Sequence, residues 1–551
     1  MLHPVLDVTN LNIVLTFSGI YILLFGFLSL KIKQRWYLGE TLPAFITGIA
    51  FGPIGARFLR VNEWSYDKNT GTSEIAYGLS RLVIGIQLVK VGYELPKRYI
   101  KERLLELLIC LLPLMMISWL VSAGCIMLMV PDISFLSSLI ISSCITCTDP
   151  LLSQSIAKGP FSDTYVRRGL REFISAEAGL NDGFGFPFLL LAVSLLRYAE
   201  TPANAFSLEQ FDLERGVPGY LDSVGKGRFG GGGLVALEHW VLEGVGYMIL
   251  LGGLVGGFVG ILGRWGVGFG VRRRWIDQEG FMLVPVAMGL MLTGLCGCIG
   301  SDETLACFMA GCTLNWNGAY RAETQSRHDS FNTTLETLLN IATFLFLGAA
   351  MPWDQFHMLQ SSGLTVSRLV GLGVMVMLFR RVPAMMLGYK FLGRGICRDW
   401  REGLFLGWFG PIGIGAISYV EYARRLFPRP GESDNEINRL TAVMRPVVYW
   451  LVLFSIIVHG LSVPVLNIFY KIFKVQPVRD HPVEIHLLSE NEPLPNNSVL
   501  LDRQRQSVIV NNQFSRVSEA SDLEGDTRDT ARDDTGSIVC ERVEVELSSI
   551  K

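Results

Sequence analysis

The chain has 551 residues, of which half are apolar and 18% charged, against roughly a quarter charged in soluble domains. That balance argues against a soluble domain, and a net charge of −2 offers no basic surface for nucleic acid. The ten cysteines fall mostly in apolar segments (Cys110, Cys125, Cys144, Cys296, Cys307). They read as small packing residues without paired or metal-ligand spacing, and no cofactor is expected.

In chain order, apolar runs long enough to cross a bilayer stand near 12–30, 41–57, 75–94, 104–130, 134–157, 172–197, 236–263, 280–299, 301–317, 336–351, 364–392, 403–425 and 446–470. They predict an all-α polytopic membrane protein with about thirteen transmembrane helices in a domain over residues 1–474. Three runs, 41–57, 301–317 and 336–351, are short, as tilted or irregular helices would be. No basic region precedes the first run, so it reads as a true span rather than a cleaved signal. The loop 198–233 ends in a flexible glycine run. Residues 475–551 turn to Ser, Asn, Asp, Glu and Arg and predict a cytosolic, disordered tail.

Lysine and arginine gather in alternate loops, around 31–35, 97–103, 158–171, 264–274, 321–327 and 390–401. The positive-inside rule then places the N-terminus outside and the C-terminus in the cytosol. Arg424, Arg425 and Arg429 fall on the wrong side of this scheme.

Two runs are interrupted, the fifth at Asp149-Pro150 and the twelfth at Phe409-Gly-Pro-Ile-Gly-Ile-Gly415. If the spans divide six, one, six into inverted repeats, these breaks occupy matching positions. Broken segments at matching positions of two halves point to a transporter's binding site. Pro150 frees the carbonyl at Thr146. Carbonyls near Thr146 to Asp149, the Thr146 and Thr148 hydroxyls and the Asp149 carboxylate are hard oxygen ligands that suit Na+ or Li+. The competing reading is a proline kink capped by an aspartate.

The sixth run carries Ser175-Ala-Glu-Ala-Gly-Leu-Asn-Asp182. Glu177 and Asn181 share a helix face, with Asp182 beside them. Carboxylates at membrane depth mark ion or proton pathways. One such carboxylate binds a proton or a sodium ion but not both, which suffices to couple two opposed fluxes. Glu177 needs a partner at that depth, and Arg380 or Arg381 in the eleventh run can supply it, unless both arginines reach the interface instead. Asp302 and Glu303 start the ninth run and fit helix capping as well as ion handling. His459, in the middle of the last run, is a packing residue or a proton carrier.

Together these residues resemble the monovalent cation/proton antiporters, in particular the fungal plasma-membrane Na+/H+ antiporters. Thr146-Cys-Thr-Asp-Pro150 is similar to the family's Thr-x-Thr-Asp-Pro signature, and Glu177-Ala-Gly-Leu-Asn-Asp182 to its Glu-x-x-x-Asn-Asp element. Ser301-Asp-Glu303 resembles the fungal Ser-Asp-acidic motif, and Trp408-Phe-Gly-Pro-Ile-Gly413 the second broken helix. The resemblance covers about residues 10–475. It implies a homodimer in which a core domain moves the ion against a dimerisation domain. It also implies that Asp182 carries the exchanged ion, that Thr148 and Asp149 help form the site, and that Glu177 pairs with Arg381 of Arg-Val-Pro-Ala. Asn181 stands where electrogenic relatives carry an aspartate, which implies one-for-one exchange. Ala178 departs from the serine of many relatives, leaving a ligand position to water or Ser175.

The expected function is export of cytosolic Na+ or Li+, with K+ a third candidate, against external protons at the plasma membrane. The rivals are a cation channel and an intramembrane aspartyl protease using Asp149 and Asp182. No filter repeat supports the first, and no Gly-x-Gly-Asp element supports the second.

Overall fold

The computed structural model describes residues 9–64, 71–199, 227–327, 331–359, 362–429, 431–475 and 478, with three short pieces of the tail. Up to residue 475 the secondary structure is helical. The main elements are α1 (Asn10–Leu30), α2 (Thr41–Phe51), α3 (Gly71–Glu94), α4 (Leu104–Met129), α5 (Phe135–Thr146), α6 (Pro150–Ala157), α7 (Arg168–Ser194), α8 (Gly233–Arg273) and α9 (Gln278–Ile299). They continue as α10 (Glu303–Leu314), α11 (Phe331–Ala349), α12 (Val366–Phe379), α13 (Val382–Gly388), α14 (Trp400–Trp408), α15 (Ile414–Arg425) and α16 (Asn435–Ile472). Among the described residues nine helices are long and apolar enough to cross a membrane, and α2 and α10 are shorter apolar helices. The molecule is a multi-pass membrane protein.

Helices in lipid gain little from the hydrophobic effect on packing together, so close backbone approach does that work and small residues line the contacts. A Cβ on Gly48 of α2 would lie 2.2 Å from the Leu345 carbonyl oxygen of α11, and one on Gly256 of α8 would lie 2.1 Å from the Ala306 oxygen of α10. Contacts of this kind join α2, α3, α8, α9, α10 and α11 into one group. The second group holds α4, α5, α12, α13, α14 and α16, and α15 packs against both α16 and α3 of the first group. Helix α7 lies between them. Its Gly179 and Gly183 meet Phe308 and Leu305 of α10, while Gly185 meets Tyr419 of α15. Helix α1 buries Phe25 and exposes Leu15, Leu23 and Phe27, a surface fit for lipid.

Both interruptions are physical. Helix α5 ends at Thr146 and α6 begins at Pro150, while α14 ends at Trp408 and α15 begins at Ile414. A third break separates α12 from α13 at Arg380–Arg381, ahead of Pro383.

Of the arginines on the wrong side of the charge count, Arg424 and Arg425 are engaged by neighbouring side chains, whereas Arg429 is exposed. Arg424 donates to Glu421 (2.8 Å) and to Ser73 of α3 (2.9 Å). Arg425 lies 4.0 Å from the Tyr77 ring centroid. Polar residues of α3 are likewise committed: Arg81 pairs with Glu303, Lys90 with Glu336, and Gln87 bonds Asn340 at 2.7 Å.

A second unit comprises Lys158–Arg168 and the chain from Pro477. It contains a short helix, Pro160–Tyr165, and a three-stranded antiparallel sheet. The strands are β1 (Glu484–Leu487), β2 (Ser498–Leu500) and β3 (Ser507–Val510), in the order β1-β3-β2. These pieces differ from the structureless tail that composition predicts. Runs of three or four residues such as Ser-Val-Ile-Val have strand propensity, which averaging over the whole tail hides. The rest of the tail lies outside the described residues.

Candidate functional site

The two broken helices cross, and a hydrogen bond ties them: the Asp149 amide donates to the Pro411 carbonyl at 2.9 Å. Four helix ends therefore meet in the interior. Each end carries unpaired backbone groups and a partial charge, positive at N-termini and negative at C-termini. Asp149 attends the positive ends. Its Oδ1 accepts from the Leu151 amide of α6 (3.3 Å), and its carboxylate also faces the Ile414 amide that opens α15. Arg380 attends the negative ends. It donates to the Ile145, Thr146 and Cys147 carbonyls closing α5 and to the Gly410 carbonyl beyond α14. The carbonyls that the sequence offers to a cation at Thr146 and Cys147 are thus taken by a guanidinium. The Thr146 hydroxyl donates to the Ser142 carbonyl (2.7 Å), which leaves its oxygen lone pairs available.

Arg381, the next residue, faces the other way. Its Nη1 and Nη2 donate to Glu177 Oε1 and Oε2 at 3.0 and 2.8 Å, a two-pronged pair, and its Nε donates to the Leu406 carbonyl. The side chains of Glu177 and Arg381 are 2% and 7% exposed, so neither reaches an interface. Asn181 completes the Glu177 shell with a 2.7 Å bond to Oε1. These residues and Thr146 border one small cavity.

Asp182 differs from every carboxylate around it. It is buried, yet both of its carboxylate oxygens have no hydrogen-bond partner. They face Gly415, where a Cβ would stand 2.8 Å from Oδ1. Asp149 Oδ2 is also unpartnered, and at Gly413 a Cβ would stand 1.8 Å from it. The absence of side chains at Gly413 and Gly415 lets both acids reach the second break. The Thr148 and Ser175 hydroxyls and Asn181 Oδ1 are also buried and unpartnered.

Asp302 caps α10, with Oδ1 accepting from Thr304 and Leu305 amides, while its free Oδ2 points toward Gly183 of α7. Glu303 is held by Arg81 and stands apart from the crossing. His459 is held on both ring nitrogens. Nε2 lies 2.9 Å from the Trp408 carbonyl, which can only accept, so Nε2 carries a proton there. Nδ1 lies 3.0 Å from the Ser455 hydroxyl, which in turn accepts from the Ile412 amide. The histidine thus splints the second break to α16.

Reading the sequence alone missed three features. The Tyr419 hydroxyl donates to the Asp182 carbonyl. Buried Glu421 gathers Tyr449 (2.9 Å), Arg424 and Arg445; a carboxylate in an apolar run three residues before an arginine was the available signal. Cys144 and Cys147 form a Cys-x-x-Cys spacing that a reading of isolated packing residues passes over; both thiols are free and buried.

The family model described as sodium/hydrogen exchanger, transmembrane, matches residues 19–468. The chain belongs to the sodium/hydrogen exchanger family. A protein named probable Na+/H+ antiporter of Schizosaccharomyces pombe is 34% identical over 83% of this chain and 56% of its own length. A Na+/H+ antiporter of Saccharomyces cerevisiae is 31% identical over 84% of this exchanger-family chain and 44% of its own length. The chain therefore spans about half the length of these relatives. A second S. pombe Na+/H+ antiporter, 30% identical, is covered over 92% of its length. In fold, the chain is similar to the sodium proton antiporter MjNhaP1 of Methanocaldococcus jannaschii, with a TM-score of 0.53 at 15% identity, covering 82% of this chain and all of that one. Family membership sets aside the protease reading.

Proposed function

We propose that this protein exchanges cytosolic Na+ or Li+, with K+ a third candidate, for external protons at the plasma membrane. The observation that carries the reading is Asp182: a buried carboxylate with neither oxygen hydrogen-bonded, beside the crossing of two broken helices. An ionised carboxylate in that place is costly to leave bare, so it takes a proton or a dehydrated cation. Occupancy by one excludes the other, and alternating access then couples the two fluxes. Asp149 Oδ2, the Thr148 hydroxyl and Asn181 Oδ1 are the free oxygens on hand to complete a cation shell. Arg380 holds the Thr146 carbonyl, while the Thr146 hydroxyl, which donates to the Ser142 carbonyl, keeps oxygen lone pairs that can join that shell.

With Glu177 neutralised by Arg381, Asp182 is the titrating charge, which supports electroneutral one-for-one exchange. The printed names of the fungal relatives support Na+ and H+ as the pair. The reading further takes the chain as a homodimer of thirteen-span protomers in two inverted repeats, with the N-terminus outside and the C-terminus in the cytosol. The mobile part would be the helices that build the crossing and carry its acids, α4 to α7 and α12 to α16.

Purified protein in liposomes carrying a pH gradient, challenged with Na+, Li+ and K+, tests the reading. The intact protein should collapse the gradient on cation addition. Asp182→Asn, which keeps the shape but cannot titrate or hold a bare cation, should be inactive at every pH. Robust exchange by that variant would remove Asp182 as the carrier.

A further inference from the structure

Hydroxyls inside this protein's helices generally bond back onto their own helix. Ser118, Ser122, Ser138 and Thr441 each donate to the carbonyl four residues earlier, at 2.7–3.0 Å. Beside the crossing the pattern fails. Ser153 Oγ, both ends of the Gln154 amide and Ser175 Oγ have no partner, although these residues are only 1%, 3% and 2% exposed. Ser137 and Thr343 share that state singly, on other helices. A buried polar group without a partner is costly and rare, so four such side-chain atoms on α6 and α7 call for a polar occupant.

Their placement follows from helix geometry. Asp149 and Asp182 meet at the stretch Gly413–Gly415. From there α6 runs toward the loop at 158, and α7 runs back toward the same loop in the opposite chain sense. Ser153 lies one turn beyond Asp149, about 6 Å along α6. Ser175 lies two turns before Asp182 on the same face, about 10 Å along α7. That face of α7 falls between the glycines turned to α10 (Gly179 and Gly183) and the glycine turned to Tyr419 (Gly185). It is therefore on the seam between the two helix groups. Ala178, between Ser175 and Asp182, contributes no ligand.

We propose that Ser153, Gln154 and Ser175 form a second cation subsite between the carboxylates and the cytosolic face, which takes a partly hydrated Na+ or Li+. This rests on the exchange reading above. Two hydroxyls and an amide oxygen are hard, neutral ligands. They replace part of the ion's water without a charge that would trap it, and they release it to Asp182. None of them titrates in the working range, so protons do not compete there. The carboxylates set the pH dependence, and this subsite sets how readily the cation arrives from one side.

The test uses purified full-length protein in liposomes of determined sidedness, with radioactive Na+ offered to one face at a time. Ser153→Ala with Ser175→Ala, and separately Gln154→Leu, should raise the Na+ concentration for half-maximal uptake at the face to which α6 runs. About fivefold per lost hydroxyl corresponds to one modest hydrogen bond. Half-saturation at the opposite face and the pH dependence should stay as in the unmutated protein, and Ser175→Thr, which keeps the hydroxyl, should behave as unmutated. If the alanine pair does not survive purification, Gln154→Asn carries the same one-sided expectation. Equal changes at both faces, or a fall in maximal rate alone, would overturn the subsite while leaving the exchange reading intact. Failure of the unmutated protein to exchange Na+ would instead sink the exchange reading and the subsite with it.

Discussion

Arg381→Ala should cost fold stability before it costs ion affinity. The substitution removes three hydrogen bonds: two to Glu177 and one to the Leu406 carbonyl. Glu177 Oε2 is left with no donor, and Oε1 keeps only Asn181. Breaking a buried pair by removing one partner costs roughly 3–5 kcal/mol, mostly because the other charge stays buried. At about 2 °C per kcal/mol, the apparent Tm in detergent should fall by roughly 6–10 °C. Glu177→Gln combined with Arg381→Gln removes both charges and should recover much of the loss, because no bare charge remains. Fluorescence-detected size exclusion after a temperature series measures all three variants. A double variant no more stable than either single one would refute the pairing as the source of stability.

The remaining expectations are narrower. Gly413→Ala would drive a methyl into Asp149 Oδ2 and should abolish exchange, whereas Gly26→Ala, whose Cβ meets nothing within 4 Å, should leave liposome exchange unchanged. With Na+ and H+ competing for one carboxylate, as proposed, apparent Na+ affinity should fall about tenfold for each pH unit below that carboxyl's pKa, by linkage; an imposed membrane potential should not shift the exchange equilibrium, and a shift would contradict the proposed one-for-one coupling. Before α16, Arg228 bonds Asp434 Oδ2 (2.6 Å) and Glu436. Burial alone would lift the Asp434 carboxyl, but the Arg228 bond and the Ile437 amide outweigh it and hold it below the usual carboxylate range. This contact therefore stabilises fully above about pH 4 and is lost as pH falls through the lowered value. Hydrogen exchange of the α16 start should show that acid opening, and Arg228→Ala should open the same segment at neutral pH.

The parts legible in the sequence are the two breaks and the need of a buried acid for a countercharge. The helices stop at Thr146, ahead of Asp149-Pro150, and at Trp408, ahead of Gly410-Pro-Ile-Gly413, although Pro187, Pro285, Pro446 and Pro464 lie inside helices. Glu177 in an apolar run calls for a cation, and Arg381 meets it. What sequence could not supply was which way neighbouring groups point. Arg380 and Arg381 are adjacent and identical, yet the break between α12 and α13 sends one to backbone carbonyls and the other to Glu177. The same limit hid His459, whose role depends on the Trp408 carbonyl fifty-one residues earlier. Spacing showed Asp302 and Glu303 together but not that one turns to α7 and the other to Arg81.

The electrostatics of the crossing explain why one acid is left to work. Two helix N-termini and two C-termini meet where water is scarce, and their partial charges need countercharges. Asp149 meets that need at the N-termini by accepting from the Leu151 amide, and Arg380 meets it at the C-termini by donating to their carbonyls. Glu177 and Arg381 cancel each other one layer away. Subtracting these pairs leaves Asp182 as the buried charge at the crossing without a fixed partner. On the proposed reading, its compensation comes and goes, as a proton or as a metal cation. A permanent partner for Asp182, such as lysine in place of Asn181, would satisfy it and end the exchange. Conversely, removing Arg380 would leave the carbonyls of Thr146, Cys147 and Gly410 without their donor and open to a competing cation. On the proposed reading, the division of labour between the two adjacent arginines would confine the exchanged charge to a single carboxylate.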